Sequence, residues 1–199
     1  MAYPTVSGPY GLIPINLIGG QVFAGSTRQI PIAASYATAI FFGDVVKLVA
    51  TGTIEKDTGT ATATPVGVFL GCSYTDPVYG KSFRQSYPGG VSATDIVAYV
   101  CDDPDALFKV AVVSSGTTIG SVARTAVGNN ASLVQNSGDT ASGNSRVAIS
   151  ASTGTTNTLP VRIIDVVPET SPAGTPGSYT EVIVKWNQGM HQYLNSTGV

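Results

Sequence analysis

Charge is scarce in this chain. Lysine, arginine, aspartate and glutamate make up 11 % of its 199 residues, against roughly 25 % in an ordinary soluble domain. The 10 basic residues are scattered and outweighed by 12 acidic ones, for a formal net charge of −2. No nucleic-acid partner is expected, because neutralising a phosphate backbone takes a basic stripe. No apolar run approaches the roughly 18 residues of a spanning helix, so no membrane partner is expected either. There are 2 cysteines, Cys72 and Cys101, too few for a disulfide framework. The stretch MAYPTVSGPYG shows no basic n-region leading into an apolar h-region. No secretory signal is read there, and folding in a reducing cytosol with free thiols is expected. Helical periodicity is missing as well. The best short-helix candidate is Asp103-Pro104-Asp105-Ala106-Leu107, with a proline at a first-turn position.

What is present is a hydrophobic fraction of 43 %, with 23 glycines and 12 prolines. That is too apolar for a disordered chain. With so little charge, solubility rests on Ser, Thr, Asn and Gly. A surface of this kind suits a protein packed against neighbours, since Lys, Glu and Asp are depleted in interface cores.

Strand signals fill most of the chain. Short branched runs bounded by Gly, Pro, Asn and Asp recur at Ala39–Val49, Pro65–Gly71, Thr94–Cys101, Ala106–Val113, Leu159–Val167 and Tyr179–Asn187. Alternation places Ile96, Ala98 and Val100 on one face. It does the same for Phe108, Val110 and Val112, and for Val182, Val184 and Trp186. The reading is all-β, a β-sandwich or barrel core. Residues 28–199 form this β domain. Within it, 114–158 is a Ser/Thr/Gly-rich region with weak strands near Ile119–Arg124, Ser132–Gln135 and Arg146–Ser150, read as a hairpin insertion or small subdomain.

The two ends read differently. Residues 1–27 read as an extended apolar arm, because Pro4, Pro9 and Pro14 break any helix and remove ladder donors. Leu12, Ile13, Ile15, Leu17 and Ile18 must be buried somewhere, either across their own domain or on a partner. Residues 188–199 read as a C-terminal tail. The candidate partner-contact residues are therefore Tyr10, Leu12, Ile13, Ile15, Leu17, Ile18 and Phe23 in the arm, and Met190, His191, Tyr193 and Leu194 in the tail.

Catalytic and metal motifs are lacking. The single histidine, His191, sits in the tail, a poor place to hold a general base, and there is no G-x-S-x-G elbow. It reads as a surface or interface residue. Cys72, Cys101 and His191 fall short of the about four ligands of a zinc site; the thiols read as small buried hydrophobes. The cluster Asp102, Asp103 and Asp105 lacks the glycine and distal Glu of a calcium loop and reads as a solvated turn. No glycine-rich phosphate motif occurs. No enzyme activity and no cofactor are expected.

The order of segments carries a resemblance. An apolar arm precedes TRQIPIA and IFFGDVVKLV. Then come GVFLGCSYTDPVYGKSFRQSYPGG, DIVAYVCDDPDALFKVAV and a closing EVIVKWNQGMHQYLNSTGV. This resembles small structural proteins of tailed bacteriophages of the short-tailed marine and cyanobacterial type, and within that group a head decoration, or cement, protein. The resemblance implies a virion protein, made in the host cytoplasm, that binds the outer capsid surface. Its implied partners are the major capsid protein and itself, as a dimer or trimer, and it implies no catalytic residue. A tail, fibre or host-recognition β module of a phage particle is the alternative. A cellular β-sandwich enzyme or sugar-binding module is a third, weakened because the lone Trp186 reads as core.

Overall fold

The computed structural model describes residues 6–171 and 175–199. Strands take up 43 % of the chain and helix 3 %, so the fold is all-β. In chain order the strands are β1 (Ile13–Leu17), β2 (Arg28–Pro31), β3 (Val45–Leu48), β4 (Ile54–Lys56) and β5 (Gly67–Asp76). Next come β6 (Gly80–Arg84), β7 (Val97–Cys101), β8 (Ala106–Ser115), β9 (Thr118–Ile119) and β10 (Val122–Ala123). The last are β11 (Asn130–Val134), β12 (Ala148–Gly154), β13 (Val161–Val166), β14 (Ser178–Tyr179) and β15 (Glu181–Trp186).

The larger sheet closes on itself. β8 pairs with β12, β12 with β11, β11 with β13, β13 with β15, and β15 returns to β8. The ring is a small barrel, which removes its edges. Its filling is the inward set that alternation predicts: Phe108, Val110, Val112, Val182, Val184 and Trp186, with Leu133, Ile149 and Ile163 from the other strands. Phe108 and Trp186 pack with ring centroids 5.2 Å apart.

The second sheet runs β2-β7-β5-β3-β4, with β6 paired to β5 alone. A parallel bridge between Ile32 and Ile54 brings the end of β2 back against β4, so this sheet also curls round. It encloses its own core of Ile30, Ile54, Phe69, Tyr87, Ile96 and Val100 among others. The opposite faces of the same strands send Val45, Val68 and Cys101 into the first core. Asp44 ties the two sheets together. Its buried carboxylate accepts the Phe41 N–H at 2.9 Å, the Lys56 ammonium at 2.8 Å and the Ser145 hydroxyl at 2.6 Å. A buried carboxylate is tolerable only with partners of this kind.

Three sequence expectations are corrected here, and one open alternative is decided. The apolar N-terminal segment, among its described residues, crosses its own domain: β1 pairs antiparallel with β8, and Leu12 is fully buried in the barrel core. Gly11 makes that entry possible. It has φ +87°, and a Cβ there would lie 2.7 Å from the Ser145 Cβ and 2.8 Å from the Gly43 carbonyl. Residues 114–158 are no insertion, because β11 and β12 are staves of the barrel and bury Leu133 and Ile149, and Val147 just before β12 is buried with them. Residues 188–199 are no loose tail, since His191 is fully buried. The 103–107 segment is a turn leading directly into β8, where Ala106 and Phe108 gain more from the barrel core than a helical turn offers.

Candidate functional site

The candidate contact residues of the two termini divide into internal and external sets. Leu12 and His191 are fully buried, so neither is free to meet a partner. Leu17 and Phe23 pack against the barrel core while remaining partly open. Tyr10 donates its hydroxyl to Glu181, and Lys109 sits 3.4 Å from the same carboxylate and 5.6 Å from the Tyr10 ring centre. Burial, then the Glu181 carboxylate beside it, pushes the Tyr10 phenol far above its ordinary range. Ile13, Ile15 and Met190 are half-buried. Ile18, Tyr193 and Leu194 are exposed.

Ile18 and Leu194 come from opposite ends of the chain and line the same cleft. It has a volume of about 370 Å³, and its other walls include Arg162, Ile164, Lys185 and Gln188. Strand alternation accounts for the placement. Ile163 and Val184 point into the barrel, so Arg162, Ile164 and Lys185 face out. Lys185 is held by Asp105 at 2.7 Å. Arg162 donates to the Asn130 side chain at 2.9 Å and has no carboxylate partner among the described residues. The result is an aliphatic cleft with a basic rim.

Before that cleft the C-terminal segment packs beside the second sheet, where Gln192 bonds Leu48 of β3 and the Pro65 carbonyl. His191 packs against Trp186 (ring centroids 6.5 Å apart) and Tyr193 (5.2 Å). Its Nδ1 accepts the Tyr193 N–H at 3.3 Å, and its Nε2 is buried without a partner among the described residues. Burial holds the imidazole below its usual pKa; the Val66 carbonyl and the Asp102 and Asp103 groups oppose that shift only in part. The Tyr193 hydroxyl donates to Asp102 at 2.8 Å, and Arg28 donates to the same carboxylate while its guanidinium lies 5.6 Å from the Tyr193 ring centre. Burial and the Asp102 hydrogen bond push the Tyr193 phenol up to about 12.

A second exposed surface escapes the sequence reading. The hairpin β5–β6 carries Val78, Tyr79 and Phe83, exposed to 78 %, 79 % and 74 %. The only signal for it is Asp76-Pro77 followed by Gly80, a turn signature, with no alternating pattern in the strand after it. Beside it lies a shallow cleft of about 510 Å³ between Phe42, Leu70, Gln85 and Tyr99. Cys72 borders this cleft; both thiols are free and buried, and burial raises Cys72 to about 11 and Cys101 to about 12. Among the described residues, no group of three His, Cys, Asp or Glu side chains is placed to hold a metal ion.

Comparison with protein-family models, with curated proteins and with solved structures finds no match.

Proposed function

We propose that this protein is a structural component of a phage virion, a decoration protein that binds the outer capsid surface and bridges neighbouring capsid subunits without catalysis. The observation that carries this reading is the cleft where the two chain ends meet. Ile18, Ile164 and Leu194 present apolar surface, rimmed by Arg162 and Lys185. The cleft stands on a closed barrel, a support that holds its shape while a lattice is strained.

The physical argument is one of many weak contacts. Each copy buries aliphatic area on a shell subunit at about 25 cal/mol per Å² gross, reduced by the cost of association. Copies repeated over a lattice add through avidity. With a net charge of −2, little of this attraction is screened by salt. The partners in this reading are the major capsid protein and a second copy of the chain.

Quantitative peptide mass spectrometry of purified particles tests it. A copy number equal to the major shell protein, or a simple fraction of it, is the expected result. A handful of copies per particle would instead favour the tail, fibre or host-recognition reading, and absence from particles would end both.

A further inference from the structure

We propose that two copies of this chain pair through the outer edges of β6, antiparallel about a two-fold axis at Ser82. The inference deepens the self-association named in that reading by placing it on one strand edge; shell binding does not depend on it.

β6 pairs with β5 on one side only, and no other described strand covers its outer edge. An open edge offers a row of backbone donors and acceptors to another strand. The segment Gly80-Lys81-Ser82-Phe83-Arg84 is suited to pairing with itself. Centred on Ser82, an antiparallel register sets Lys81 opposite Phe83 of the second copy, and Gly80 opposite its Arg84. No like charges face each other. Lys81 is the type of residue that usually guards an edge, but here Asp95 holds it at 3.1 Å. In the paired register the Phe83 ring of the second copy lies beside the Lys81 stem, while the ammonium stays on Asp95. Arg84 has no carboxylate partner among the described residues and stands 5.6 Å from the Tyr74 ring centre. Opposite a glycine it has room to remain there.

The same register explains the exposed tip. With Gly80 opposite Arg84, Tyr79 falls beside Gln85 of the second copy. Gln85 borders the cleft of about 510 Å³ between Phe42, Leu70 and Tyr99. Each tip, with Val78 and Tyr79, thus meets the other copy's cleft. A strand pair of 5 residues by itself falls short of the roughly 1,200 Å² of a stable interface. The two tips in the two clefts supply further area, and the two-fold makes the contact closed rather than filament-forming.

Sedimentation equilibrium of the full chain, with cysteine trapping, tests this. At the two-fold, paired Ser82 Cα atoms fall within the range a disulfide spans. Ser82→Cys under mild oxidation is expected to form a covalent dimer, and Thr51→Cys, on a distant exposed turn, is not. The native thiols are buried and add no background. Phe83→Ala is expected to weaken the dimer about tenfold or more. A wild-type monomer at tens of micromolar, a trimer, or a dimer that Ser82→Cys does not trap would each overturn the proposal. None of these results bears on particle copy number, so this inference and the decoration reading fail separately.

Discussion

Gln192 pairs with Leu48 as a neighbouring strand residue would. Its side-chain oxygen accepts the Leu48 N–H at 2.6 Å, and its side-chain nitrogen donates to the Leu48 carbonyl at 3.1 Å. The Gln192 N–H donates to the Pro65 carbonyl at 2.9 Å. One side chain thus fastens the C-terminal segment, which follows β15 of the barrel, onto β3 of the second sheet.

Gln192→Ala removes both bonds to Leu48 and leaves its backbone groups unpaired. The expected cost is about 1–3 kcal/mol. At about 2–4 °C per kcal/mol for a chain of this size, scanning calorimetry should show a clear drop in Tm. An unchanged Tm would mean that water replaces the side chain fully.

His191 makes stability pH-dependent near neutrality. Its folded pKa lies below the ordinary 6.5, chiefly through burial. As pH falls through the unfolded value, the unfolded chain takes up a proton that the folded chain refuses. Stability is therefore full above about pH 6.5 and declines as pH drops toward the lower folded value. Asp102, Asp103, Arg28 and Tyr193 share the neighbourhood and moderate the size of the effect. Thermal melts from pH 7.5 to 5 should show the decline in wild type and lose most of it in His191→Gln. Asp95, held low by the Thr75 hydroxyl and N–H and by Lys81, gives up its contribution only as pH falls through the ordinary carboxylate value of 3.8, below the range of these melts, so the windows are separable.

The N-terminal segment is part of the barrel, so its removal should be severe. Leu12→Ala is expected to cost about 2–5 kcal/mol, as for other fully buried leucines. Deleting residues 1–20 removes Leu12 and the strand β1 and should abolish cooperative unfolding in circular dichroism. A truncated chain that melts like the full one would show that β8 does not need β1.

Both thiols should titrate only after unfolding. Ellman-type titration in denaturant without reductant should find two free thiols, and the folded protein should react slowly, because burial raises both groups and blocks access. Absence of thiol in denaturant would contradict their separate placement in two cores.

Trp186 offers the sharpest check on the alternation argument. It is the only tryptophan in the chain and lies in the barrel core with Phe108. Trp186→Ala should cost about 3–5 kcal/mol, read from chemical denaturation followed by circular dichroism. A folded variant of unchanged midpoint would move Trp186 out of the core.

Much of the fold was legible because side-chain alternation is a local property. Phe108, Val110 and Val112 face inward together, as do Ile96, Ala98 and Val100, and these faces follow from period two alone. Of the candidate contact residues, Ile18 and Leu194 do come together, yet nothing near either one in the chain says so. Leu12 and His191 read as available for contact because an apolar or aromatic residue beside Gly and Pro carries no mark of its destination. The β6 hairpin was missed for the opposite reason: with both faces open, it has no alternation to detect.

Strand content, the inward faces and the poverty of charge all follow from local sequence, since each depends on residues within a few positions of one another. Ring closure was decided only in three dimensions. The parallel pairing of Ile149 with Val112 and the return of β15 to β8 join distant segments. Period two states which face of a strand is buried and not which strand lies beside it. The same holds for Leu12 and His191, whose burial depends on a cavity that exists only once both sheets have closed.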